Sequence, residues 1–323
     1  MVSYIDISKA QERIGKYITR TPLDLSMGLG NGSAKVFLKL ECQQKQKAFK
    51  VRGALSKLSS LTDDERALGV VAVSSGNHGA GVSYAAHLLG IRNAKVFVPQ
   101  TAPKAKVDKI RYYGAEVVQV GRNYDETHGI AVDEMKKHNM TYIDSCSDEQ
   151  LIAGQGTVGL EIMEQEPDVD IIVVPIGGGG LITGIGIAAH HLKPGVRVVG
   201  VQTEACPAMV KSIQDNVLYA EFPSGDSICD ALVGGITEIP FSMAAQCIDD
   251  ILVVKESTIR EATAYLLIEE KVVSEPSGAV GVAALMENPG YFAGKNVAIV
   301  ISGGNLDKAM MKDILCQAGS VGR

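Results

Sequence analysis

Four consecutive glycines, Gly177–Gly180, join the apolar run Asp170–Ile176 (DIIVVPI) to a helical stretch at Leu181–Leu192. A strand that runs into a turn without side chains, and then into a helix, leaves several backbone amides free to crowd round one guest, with the positive end of the helix behind them. An anion is the natural guest, and a phosphate above all. The spacing is not GxGxxG followed by an acidic residue on the next strand, and no Lys-Ser/Thr pair follows, so neither a dinucleotide nor a nucleoside triphosphate is indicated. On local evidence alone a flexible glycine loop stays the alternative.

The same strand–turn–helix grammar runs through the chain. Gly69–Val73 (GVVAV), Lys95–Val98 and Glu116–Val120 read as strands, with helices at His78–Leu89 and Lys104–Tyr113 between them, the second started by Pro103. Further strands are expected at Asp170–Ile176, Arg197–Gln202, Ile251–Val254 and Val297–Ile301, with helices near Glu256–Glu270 and Ser277–Leu285. This alternation predicts an α/β protein with largely parallel sheets. The βαβαβ unit, residues 51–145, is expected as a small domain inserted into a larger one made of residues 1–50 and 146–323. No repeat or low-complexity linker interrupts the pattern, and no appended regulatory domain is expected.

Composition narrows the partners. The 323 residues are 46% hydrophobic and 21% charged, enough apolar material for a large core. Net charge is −6, and the short basic run Lys45, Lys47, Lys50, Arg52 cannot track a duplex, so nucleic acid is not an expected partner. No apolar stretch has the length of a membrane span, and the polar start MVSYIDISKAQERIGKY lacks a signal peptide's apolar region, which points to the cytoplasm. Cys42, Cys146, Cys206, Cys229, Cys247 and Cys316 are widely spaced, with no CxxC pair, and read as small buried hydrophobes. His190 and His191 are neighbours on a helix and diverge by about 100°, which suits no shared metal.

Open parallel sheets bind ligands beyond the carboxyl ends of their strands. Three polar or glycine-rich segments fall at such ends: Ser74–His78, Gly177–Gly180 and Ser302–Asn305. Ser74-Ser75-Gly76-Asn77-His78 offers hydroxyls, an amide and backbone N–H groups at a helix start, which suits a carboxylate, although a simple helix cap has the same composition. Lys50 follows Phe49 just before a helical stretch; in an apolar pocket its neutral amine would be favoured as nucleophile or base, whereas a surface lysine is the bland alternative.

The segments KLECQQKQKAFKVRGA, VSSGNHGAGVSYAAHLLG, VPIGGGGLITGI, EPSGAVGVAAL and VISGGN, in that order, resemble the fold-type-II pyridoxal-phosphate enzymes, and most of all the serine racemase and threonine/serine dehydratase branch. AGQGT (Ala153–Thr157) and SICDALVGG (Ser227–Gly235) fall between them, and the similarity spans nearly the whole chain. It implies two open, twisted, mostly parallel sheets with helices on both faces, as in tryptophan synthase β. It also implies pyridoxal 5′-phosphate as cofactor, a small amino acid as substrate, and a homodimer. Carried over residue by residue, Lys50 would bond the cofactor, with Phe49 beside it. Gly177, Gly178, Gly179, Gly180 and Leu181 would hold its phosphate, Asn77 its ring hydroxyl and Ser302 its pyridine nitrogen. Ser74, Ser75, Asn77 and His78 would hold the substrate carboxylate. The implied reaction is loss of water, then ammonia, from L-threonine or L-serine, with Lys50 removing the Cα proton.

Three departures mark this chain. Lys47 stands where many relatives have glycine before the cofactor lysine. Gln202 and Ala208 occupy the places of a glutamate and an aspartate that hold a divalent cation in metal-activated racemases, so no metal site is expected. Ser75 stands where racemases keep the acid/base for the second face of Cα. Racemisation by Lys50 and Ser75 is therefore the second reading. A third, a binding protein or a nucleotide-dependent enzyme, requires that the lysine, serine and glycine segments lie apart.

Overall fold

The computed structural model describes residues 1–30 and 32–321, the last four as backbone. Among these residues ten strands form two sheets. The larger contains β1 (Leu23–Leu25), β2 (Lys35–Lys39), β7 (Ile171–Pro175), β8 (Arg197–Thr203), β9 (Asp250–Val254) and β10 (Asn296–Val300), in the order β1-β2-β10-β7-β8-β9. Only the edge pair β1–β2 is antiparallel. The smaller sheet is parallel throughout, β5-β4-β3-β6, from β3 (Val70–Val73), β4 (Ala94–Val98), β5 (Glu116–Gln119) and β6 (Thr141–Tyr142). The expected α/β architecture of two mostly parallel sheets is what the chain adopts.

The apolar run of β7 is buried along its whole length because both of its faces are covered. Ile171 and Val173 face a core shared with Ile259, Leu266, Val280 and Phe292, on the helices Glu256–Ile268 and Pro276–Glu287 and the turn after them. Ile172 and Val174 face the opposite core, with Val158, Ile162, Ile182 and Ile185 of the helices Glu149–Gln165 and Gly180–Leu192. The small sheet is built alike: Val70, Ala72 and Val96 meet Val51, Leu55 and Val82, while Val71, Val73 and Phe97 meet Ala131.

The expected elements fall within a residue or two of those observed, with one instructive shift. Gly69 is the left-handed cap of the preceding helix, φ 100°, and the strand starts at Val70. Five cysteines are buried as expected, but Cys316 is exposed, on the helix Lys308–Val321. His190 pairs with Asp249 at 2.9 Å and His191 stacks on Tyr4. Among the described residues no helix is long and apolar enough to cross a membrane.

The topology decides where a ligand can sit. From β7 the chain steps outward to β8 and β9, then returns to β10 on the other side of β7. The strand order reverses between β7 and β10, and the crevice beyond their carboxyl ends is the favoured ligand position in such sheets. These strands run parallel and in register, Val173 beside Ile299, so the turns after Pro175 and after Val300 emerge side by side.

Candidate active site

Those turns are the four-glycine segment and Ser302–Asn305. The lysine segment is stitched to the second of them. Phe49 N donates to Ser302 O at 3.1 Å, Gly304 N donates to Lys47 O at 2.8 Å, and Ala48 forms an antiparallel bridge with Gly303. Lys50 is the first residue of the helix Lys50–Ser59. Its Nζ donates to Ser145 O at 2.9 Å, lies 3.6 Å from Cys146 Sγ and stands 5.3 Å from the centre of the Phe49 ring.

Cys146 links that amine to the glycines. A Cβ added to Gly178 would lie 2.8 Å from Cys146 Sγ, and one added to Gly180 would lie 3.0 Å from Cys146 O and 2.7 Å from Gln155 Oε1. Gly179 has φ 98°, a left-handed conformation, and its Cβ would meet Pro240 at 2.6 Å. No larger residue fits this turn unless its surroundings move. Among the described residues none of the N–H groups of Gly177–Gly180 is donated to another group, and Gly180 opens the helix Gly180–Leu192. A side-chain-free cradle with undonated amides at a helix start fits a phosphate. Leu181, the next residue, is buried under it.

The small sheet closes the other side. The helix Asn77–Leu88 follows the turn after β3, and Asn77 reaches the 302–305 turn. Its Nδ2 donates to Glu275 Oε1 at 2.8 Å, its Oδ1 accepts from Asn305 Nδ2 at 2.6 Å, and Nδ2 lies 3.3 Å from where a Gly303 Cβ would be. One Asn77 N–H is thus left for a ligand. Burial pushes the Glu275 carboxyl up to about 7, with the charge of Asp230 adding to it. Ser302 is buried between these groups. Ser74 Oγ accepts from Gly76 N at 3.1 Å, and Ser75 is half-buried in the same turn. His78 is buried, with Nε2 2.9 Å from Ile143 O. Burial and the nearby Lys50 charge push its imidazole down to about 4, so the ring is neutral at pH 7. A carbonyl only accepts, so Nε2 carries the proton and Nδ1 presents a lone pair with no partner among the described residues.

The lysine, serine, asparagine and glycine segments therefore meet, and the reading that needed them apart fails. Four residues at this site carried no assigned role in the sequence: Cys146, Glu275, Asn305 and Gln155. Glu275, Asn305 and Gln155 belong to the segments EPSGA, SGGN and AGQGT, a usable signal. Cys146 had none. Gln202 turns inward, its Oε1 accepting from Met209 N at 2.9 Å and Val210 N at 3.1 Å, so it caps the helix Ala208–Asp215.

Lys47, the residue in place of glycine, has φ 65°, as does Gln46. The left-handed backbone that glycine would favour is kept by a lysine. Behind this segment lies a buried ionic cluster. Arg52 donates twice to Glu41 at 2.8 Å and to both oxygens of Glu161 at 2.8 and 2.9 Å, and Lys39 Nζ meets Glu161 at 2.6 Å. All four side chains are withdrawn from solvent.

Comparison with known proteins agrees with this geometry. The family model described as "Pyridoxal-phosphate dependent enzyme" matches residues 14–303. The chain is 41% identical to the L-threonine ammonia-lyase of Thermotoga maritima over 321 residues, covering 98% of this chain and 78% of that protein. It is 38% identical to the catabolic L-threonine dehydratase of Escherichia coli K12, covering 97% of this chain and 96% of that one. Among solved structures, maize serine racemase superposes with a TM-score of 0.90 at 31% identity, covering 99% of this chain and 98% of that chain.

Proposed function

This chain belongs to the pyridoxal-phosphate-dependent enzyme family, and from that premise we propose that it removes water and ammonia from L-threonine or L-serine, leaving 2-oxobutanoate or pyruvate. The observation that carries the reading is the Lys50 amine beside Cys146, whose thiol abuts the four-glycine turn. Bound there, pyridoxal phosphate supplies an aldehyde for an amine and an electron-withdrawing ring that acidifies the substrate's Cα–H. Lys50 Nζ is both the group that bonds the cofactor and the base that takes the Cα proton. The glycine amides and Leu181 N hold the phosphate, the remaining Asn77 N–H meets the ring hydroxyl, and the Ser302 hydroxyl meets the ring nitrogen. A neutral hydroxyl there would bring no charge to the ring nitrogen. Ser74, Ser75, Asn77 and His78 receive the substrate carboxylate at the start of the helix Asn77–Leu88. His78 can offer only its backbone N–H there, because its ring Nε2–H is taken by Ile143 O and its Nδ1 is an acceptor.

The large sheet draws its strands from residues 1–50 and 146–323, and the small sheet from 51–145, which supports the division into a cofactor-holding domain and a smaller inserted one. Within this reading the enzyme works as a cytoplasmic homodimer. Racemisation of serine is the second reading, favoured by the Ser75 hydroxyl in the carboxylate turn and by the likeness to maize serine racemase.

A panel of β-hydroxy amino acids, assayed for ammonia release and for inversion of the residual substrate, tests both. We expect ammonia from L-threonine or L-serine, and a fall of about a thousandfold or more in Lys50→Ala, the scale of a lost base and covalent anchor. Undiminished ammonia release from that variant would end the elimination reading. A complete lack of D-serine at high conversion would end the second.

A further inference from the structure

Gln155 lies in the middle of the helix Glu149–Gln165, wholly buried, and neither its Oε1 nor its Nε2 has a hydrogen-bond partner among the described residues. A buried primary amide without partners is costly, and an apolar side chain of the same length would fill the space without that cost. The position of the amide says what it is for. Its stem passes Gly53, whose Cβ would lie 3.2 Å from Gln155 Cγ, on the helix that begins at Lys50. Its head abuts Gly180, whose Cβ would lie 2.7 Å from Oε1, at the first residue of the helix behind the four-glycine turn. Both neighbours are glycine: a side chain on Gly180 would occupy the room this amide takes, and one on Gly53 would crowd its stem.

The turn presents undonated N–H groups and the positive end of a 13-residue helix, and Gln155 is an unpaired polar group aimed at the same place from a third element. We propose that Gln155 is a side-chain ligand of the cofactor's phosphate, its Nε2–H donating to a phosphate oxygen held on the Gly177–Gly180 turn. The inference rests on the pyridoxal-phosphate reading above. No protein partner fixes which end of the amide faces Gly180, so the anion sets it, turning Nε2 toward the turn. A neutral donor adds affinity without a cation, leaving the negative charge of the phosphate undiminished by a neighbouring lysine or arginine.

The test separates phosphate from ring. Gln155→Met removes the amide at similar length, and Gln155→Glu keeps the shape but adds a negative charge. Dissociation constants for pyridoxal phosphate and for pyridoxal, which lacks the phosphate, are measured by absorbance titration of the cofactor-depleted full chain. ³¹P spectra are recorded on the loaded proteins. We expect Gln155→Met to weaken pyridoxal phosphate roughly ten- to a hundredfold, the scale of one hydrogen bond to an ionised group, and Gln155→Glu to weaken it more. Pyridoxal affinity stays unchanged, the ³¹P resonance moves, and cofactor-free Gln155→Met melts no lower than the wild type. Equal weakening of pyridoxal and its phosphate, an unmoved resonance, or an early-melting cofactor-free Gln155→Met would each assign Gln155 to packing and overturn the proposal. A wild-type chain that binds no pyridoxal phosphate would instead remove the reading beneath it, and this proposal with it.

Discussion

Replacing Glu161 with glutamine tests how the segment that carries Lys50 is anchored. The cluster holds two cations, Lys39 and Arg52, and two anions, Glu41 and Glu161, and is neutral as a whole. Glutamine would leave one uncompensated positive charge and turn an amide donor toward donors. Removing one partner of a buried ion pair costs about 3–5 kcal/mol. An unfolding entropy of about 2.1 cal/mol/K per residue gives roughly 0.7 kcal/mol per degree for a chain of 323 residues, so the melting temperature should fall by about 4–7 °C. Calorimetry of the cofactor-free chain reads this directly. Burial alone would push the Glu161 carboxyl up, but Arg52 and Lys39 outweigh it and hold it below the ordinary carboxylate range. Its contribution is therefore present above the ordinary glutamate value of 4.5 and lost as pH falls through the lowered folded value, and the gap between variant and wild type should narrow in acid. The double change Lys39→Met with Glu161→Gln restores neutrality, so it should cost less than the sum of the two single changes, by about 0.5–3 kcal/mol. Strict additivity, or a fall of less than about 1 °C for Glu161→Gln, would refute the idea of a charge-balanced cluster.

Two further perturbations probe the site itself. Glu275, whose carboxyl is pushed from 4.5 to about 7, gives stability that is full below its unfolded value and lost as pH rises through 7, worth roughly 3 kcal/mol over that window. Glu275→Gln should therefore melt higher relative to wild type at pH 8 than at pH 5, and an equal difference at both would show that the carboxyl does not titrate there. Lys47→Gly should stabilise the chain by up to about 1 kcal/mol, because a left-handed residue with a side chain is strained and glycine is not. A clear loss of stability in that variant would mean that the lysine side chain makes a contact outweighing its strain.

The alternation of buried strands with helices was legible because the apolar runs are short and each ends in a turn signal, so β3, β4, β7, β8 and β10 lie where the residues predict. What escaped had weaker local signals. β2 reads KVFLK, whose buried Lys39 finds its counter-charge in Glu161, 122 positions away, with Thr21 O and Gln165 as further acceptors. β6 is two residues long. The helix Glu149–Gln165 contains Gly154, Gly156 and Gly159, which argue locally against a helix. They are needed for packing: a Cβ on Gly154 would meet Arg52 O at 2.4 Å and one on Gly156 would meet Gly184 O at 2.8 Å. In the site, Lys50, Asn77, Ser302 and the glycines could be named from the order of their segments. The nearness of Cys146 to Lys50 spans 96 positions and depends on how two sheets face each other, which no window of sequence encodes.

Lys47 shows how the two levels fit together. Judged by residue type, a lysine at position 47 should relax the backbone before Lys50 into an ordinary conformation. It does not, because the surrounding groups leave no alternative. Gln46 O accepts from both Asn305 Nδ2 and Lys109 Nζ, Gln46 Nε2 donates to Ala80 O, and Lys47 O accepts from Gly304 N. These bonds come from the 302–305 turn and from two helices of the small-sheet side, and together they fix both carbonyls of the left-handed pair. Strain of this kind persists only where the surroundings over-determine it. The same bonds set the spacing of Lys50 from Ser302, because Phe49 N donates to Ser302 O in the next step along the chain. The amine and the hydroxyl at opposite ends of the site are therefore held apart by backbone hydrogen bonds rather than by their own side chains. That is why Lys47 holds a conformation that its own side chain disfavours.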